Sequence, residues 1–146
     1  MRLKVKIEGS KALMKQFEKY YSDGEDMVAK ITKFRAQEIG AEAKRLAPYD
    51  TGKLMGNITT QKIDDFNWRI TARMPYSAYM EFGTGKMVQV PAEWRDIAEQ
   101  FRGKGIREVN LAPQPFMYPA FLKARKLFPE DLQQGLDILA KKFNNG

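Results

Sequence analysis

The stretch from Glu25 to Ala47 constrains the fold most. Met27, Ile31, Phe34, Ile39 and Leu46 recur there at the spacing of one broad helix side, while Lys30, Lys33, Gln37 and Lys44 gather opposite. Glu25 and Asp26 stand in the first turn and Lys44 and Arg45 in the last, each complementing the helix dipole, and Pro48 ends the segment. A helix with an apolar side of this length has to rest on something. Phe66, Trp68, Ile70, Ala72 and Met74 alternate with Asn67, Arg69, Thr71 and Arg73, the period of a half-buried strand. Arg2 to Glu8 alternates in the same way, with Leu3, Val5 and Ile7 on one face. Gly56 to Ile63 reads as a weaker strand whose Ile58 and Ile63 fall on opposite faces, which predicts a bulge, and Asp64-Asp65 turns it into the next strand. The expectation is an α+β fold: a small antiparallel sheet of three or more strands, a long helix packed across it, and helices at the C-terminal end.

The remaining segments fit around that frame. Ser10 caps a short helix running to about Tyr21, and Asp23-Gly24 signals a turn before the long helix. Ala47-Pro48-Tyr49-Asp50-Thr51-Gly52-Lys53-Leu54 reads as a tight turn, with Asp50 accepting hydrogen bonds from the backbone two residues on. Pro75-Tyr76-Ser77-Ala78-Tyr79-Met80-Glu81-Phe82-Gly83-Thr84 predicts a short helix that opens at proline and carries aromatic groups on two sides. Residues 88–111 read as an inserted segment within a single domain spanning 1–146. It holds a short amphipathic helix over Pro91–Phe101 and a basic, glycine-interrupted tip at Arg102-Gly103-Lys104-Gly105. Pro113 to Phe121 starts extended and turns into a helix near Pro119. Phe128-Pro129 breaks or kinks that helix, and Leu132, Leu136, Leu139 and Phe143 form an apolar stripe after the restart.

Composition narrows the chemistry. The chain has 146 residues, no cysteine and no histidine, which removes thiol nucleophiles, disulfides, the usual zinc ligands and the commonest general base near neutral pH. Ser10, Ser22 and Ser77 have no histidine to activate them. The only catalytic candidates are Glu81 with Asp50 or a tyrosine, and nothing in their spacing brings them together. Gly83-Thr84-Gly85-Lys86 lacks the leading glycine and the following hydroxyl of a phosphate loop, since Met87 stands there. No apolar run approaches the roughly 20 residues of a membrane span, and no cofactor site is read. The formal net charge of +7 is spread along the chain without a block of like charges. A nucleic-acid contact would draw on Lys30, Lys33 and Lys44 of the long helix and on Arg102 and Lys104 of the tip.

Three clusters in order carry a family resemblance: Ala47 to Leu54, Pro75 to Thr84, and Pro113-Gln114-Pro115-Phe116-Met117-Tyr118-Pro119-Ala120-Phe121. With the helix before the first and the hairpin after it, they resemble the tail-completion, or minor tail, proteins of long-tailed bacteriophages, such as a prophage encodes. Members of that family commonly pass from the Gly-Thr turn to the Pro-Phe cluster in a few residues, whereas residues 88–111 intervene here. The resemblance implies a non-catalytic assembly protein at the head–tail junction or tail end. Its partners would be other tail and neck proteins, with a homo-oligomeric ring as its own form. It would be found in the host cytoplasm during assembly and then in the virion. On that reading Tyr76, Tyr79 and Phe82 supply aromatic contact area and Glu81 supplies polar register. The run Pro113 to Pro119, with Pro115, Phe116 and Pro119 as its candidate contacts, gives a stiff docking edge.

Overall fold

A computed structural model describes residues 11–49, 52–102 and 110–145. The strand expected over residues 2–8, the cap Ser10 and the turn residue Asp50 lie outside them. Helix α1 spans Lys11–Leu46 and α2 Lys53–Gly56; strands β1 and β2 cover Ile58–Lys62 and Trp68–Ala72; helix α3 is Ser77–Phe82. Single 3-10 turns at Gly85–Met87 and Ala92–Trp94 lead into α4, Arg95–Glu99, and the chain closes with α5, Met117–Asn145.

Helix α1 is one continuous helix, so the expected break at Asp23-Gly24 does not occur. A glycine inside a helix costs about 1 kcal/mol, and packing against α5 outweighs it. Helix α5 runs antiparallel alongside: Tyr20 meets Phe143 edge-on at 4.9 Å between ring centres, and Lys142 lies 3.3 Å from Asp23. Further along, Arg35 grips Asp131 through two guanidinium nitrogens, with Nη2 2.8 Å from Oδ1, and its Nη1 donates to Glu38. The hydrogen bonds from Arg35 hold the Asp131 carboxyl below its ordinary range. The same packing carries α5 without a break through Pro129, where a break or a kink was expected. The line of α5 that meets α1 runs through Asp131, Gly135, Leu139 and Lys142. Leu139 is therefore buried, whereas Leu136 of the expected stripe is 46% exposed.

Two sides of α1 are buried rather than one. Met27 and Ile31 face Gly135 of α5. Ala36, Gly40, Ala43 and Ala47, small residues at helical spacing, form a second side against the hairpin, while Phe34, expected in the core, is 58% exposed. Gly40 allows the closest approach: a β-carbon there would stand 2.1 Å from Thr60 Oγ1. The helix backbone thus rests directly on the Thr60 side chain, where any residue larger than glycine would clash.

The hairpin is antiparallel with constant register, Ile58 opposite Ala72, Thr60 opposite Ile70 and Lys62 opposite Trp68, so the predicted bulge is absent. Ile63 lies beyond β1, in the loop, 55% exposed, and constrains no face. The loop is fixed by Asp64, whose carboxylate accepts the Phe66 amide at 2.8 Å and the Asn67 side chain, holding the Asp64 pKa below its usual value. Among the described residues the sheet has two strands, not the three or more expected. Ala43, Ala47, Leu54, Ile58, Phe116 and Ala120 make the core, where the end of α1, the start of β1 and the start of α5 converge; Phe116 is wholly buried.

A contact site built around the Glu81 cap

Pro75 opens the aromatic stretch as expected, but α3 begins two residues later, at Ser77. Its face toward the core carries Ser77, Ala78, Glu81 and Phe82. Glu81 is 5% exposed, and its two oxygens accept the amides of Phe116 and Met117, both at 2.8 Å, and of Tyr118 at 2.9 Å. The first amides of a helix have no partner within it. Glu81 therefore caps α5 from a distant part of the chain, and its negative charge lies at the positive end of the helix dipole. Close by, the Gln114 amide donates to Met80 O at 2.7 Å. The chain leaves α3 through Gly83, at φ 77° and ψ −177°, a conformation nearly confined to glycine. A β-carbon at that position would stand 2.7 Å from Leu111 O and 2.9 Å from Met87 O.

Beyond Gly83 the chain makes an excursion that returns to its origin. The Thr84 amide donates to Leu111 O, and the Leu111 amide donates back to Thr84 Oγ1, both at 2.9 Å. The Lys86 amide donates to Asn110 Oδ1 at 3.0 Å. These bonds form a neck for the segment between them.

Part of that segment folds back. Trp94 sits edge-on to Phe82 and Tyr118, with ring centres at 6.3 and 4.9 Å, and tilted against Phe121 at 5.9 Å. Its neighbour Glu93 accepts the Tyr118 hydroxyl and an Arg125 guanidinium N–H, each at 2.5 Å. The Tyr118 hydroxyl, and secondly Arg125, hold the Glu93 carboxyl below its usual range; in turn Glu93 pushes the Tyr118 hydroxyl up. Nothing in the sequence spacing marks this latch, because its members stand 25 and 32 positions apart.

The residues expected at an interface therefore divide. Glu81, Phe82 and Phe116 are buried within the protomer and join α3 to α5. Tyr76, Tyr79 and Pro119 are half-buried and Pro115 is exposed, all around the same junction. Lys30, Lys33 and Lys44 are exposed on α1. Arg102 is paired with Glu99 at 3.0 Å, and Lys104 lies outside the described residues. Among the described residues no cluster of acidic side chains could hold a metal ion, and no helix is long and apolar enough to cross a membrane.

A long helix laid on a hairpin and tied through a buried carboxylate to a second long helix defines a small α+β protein. The HK97-gp10-like family, described as "Bacteriophage HK97-gp10, putative tail-component", matches residues 11–83, half of the chain, and the chain belongs to that family. Membership makes it a phage tail component with a structural role in the virion. No curated protein and no solved structure matches it. The matched region ends one residue after α3. Glu81 thus lies inside it, while the amides it caps and the Glu93–Trp94 latch lie beyond it.

Proposed function

We propose that the protein is a non-catalytic assembly component at the tail end or head–tail junction, acting through contacts with tail and neck proteins and forming a ring of identical subunits. Family membership supports the tail assignment. The observation that carries the contact reading is the Glu81 cap, which fixes the start of α5 against α3 and so presents Tyr76, Tyr79, Pro115 and Pro119 on one rigid junction. A surface of aromatic and proline residues held in place loses little entropy on docking. Residues 88–111 act on this reading as an inserted segment that reshapes the same junction.

Light scattering over a hundredfold concentration range, in low and high salt, tests the proposal. A discrete oligomer that persists in high salt, and that Tyr76→Ala with Tyr79→Ala dissociates while the fold melts cooperatively, is the expected result. A 16.8 kDa monomer throughout would overturn the self-assembled ring.

A further inference from the structure

We propose that the groove between α1 and the distal end of the hairpin binds the phosphate backbone of a nucleic acid. Ala29, Lys30 and Lys33 of α1 and Lys62, Asp65 and Trp68 of the hairpin line a solvent-open groove of about 190 Å³. Lys62 and Trp68 are cross-strand partners at the end of the ladder, so the register delivers one ammonium and one flat apolar ring beneath the helix lysines. Three cations meet one carboxylate there. Asp65 is already engaged by Lys62 at 2.7 Å, whereas neither Lys30 nor Lys33 makes an ion pair among the described residues. Two unpaired lysines at i and i+3 repel each other, and an anion between them relieves that repulsion.

The layout favours a phosphate backbone over an acidic protein segment. The three ammonium groups of the lining set the sign of the partner and act as point charges that serve phosphate oxygens well. Lys44 continues the same side of α1, about 21 Å from Lys30 along the axis at 1.5 Å per residue. That continuity suits a polymer rather than a lone ion. Contacts of this kind grip the backbone and read no sequence.

The test is fluorescence anisotropy with a labelled mixed-sequence duplex DNA, titrated at several salt concentrations. For the wild type, log affinity should fall linearly with log salt. The triple variant Lys30→Gln, Lys33→Gln, Lys62→Gln should flatten the slope by about 2.7, at roughly 0.9 for each phosphate no longer neutralised. The control Lys53→Gln, Lys126→Gln, Lys141→Gln removes the same charge from exposed positions elsewhere and should leave the slope near the wild-type value. Failure of the wild type to bind at low salt would overturn the proposal. An equal drop in both triple variants would also do so, by assigning binding to net charge. Competition by polyglutamate as strong as by unlabelled DNA would reassign the groove to an acidic protein partner.

Discussion

Glu81 shows how one side chain can settle the junction of two helices. Its carboxylate is withdrawn from water and surrounded by three amide donors, each of which would otherwise be unpaired at a helix start. Hydrogen bonds to a charged group are stronger than neutral ones, and buried donors left alone cost about 1–3 kcal/mol each. Glu81→Ala should therefore destabilise the protein by about 3–4 kcal/mol, lowering the melting temperature by roughly 10 °C for a chain of this size. Glu81→Gln, which keeps a carbonyl acceptor, should lose about half as much in a denaturant titration. The sequence marks Glu81 as the only carboxylate in an aromatic stretch, but it cannot show which way the side chain turns. Surface register and internal cap look alike until the partner amides, 35 to 37 positions away, are placed.

At the scale of elements, long periodic segments are the legible part. The body of α1, the alternating β2 and the short aromatic α3 are all readable from spacing. What is not readable comes from one element acting on another. The Asp23-Gly24 and Pro129 punctuation is overridden because α1 and α5 lie side by side through both positions. The second buried side of α1 escapes notice because it consists of Ala36, Gly40, Ala43 and Ala47, which contribute little to an apolar pattern.

The latch onto α5 has a readable pH dependence. The Glu93 carboxyl is depressed from its ordinary 4.5, so its stabilisation is complete above that value and is lost as pH falls through the folded pKa. The Tyr118 hydroxyl is raised from 10.0, so its share is complete below that value and is lost as pH rises through the folded pKa. In a Trp68→Phe background, Trp94 fluorescence should stay constant between about pH 5 and 9 and change on both sides. Glu93→Gln should abolish the acid transition. Its survival would show that the latch does not depend on this carboxyl.

For the whole molecule, stability is unevenly spread. The core collects at one end of the helix pair, around Ala43, Ala47, Phe116 and Ala120, while the far end is held by the Tyr20–Phe143 ring contact and the Asp23–Lys142 ion pair. Exposed ion pairs contribute at most about 1 kcal/mol. Hydrogen exchange should therefore be slowest in residues 36–47 and 116–124 and fastest, among the helical amides, in 15–25 and 138–145. Uniform protection along α1 would show that the two helices open as one cooperative unit.

The hydrogen-bonded neck at Thr84 and Leu111 bears on how such a chain can diversify. Departure and re-entry share one doorway, so beyond the Glu93–Trp94 latch the scaffold does not register the length threaded through it. Two selective pressures are thereby uncoupled. The frame and its latch answer to folding, and the stretch between the latch and Asn110 is relieved of that demand. Changes of length there should leave the melting temperature close to its original value.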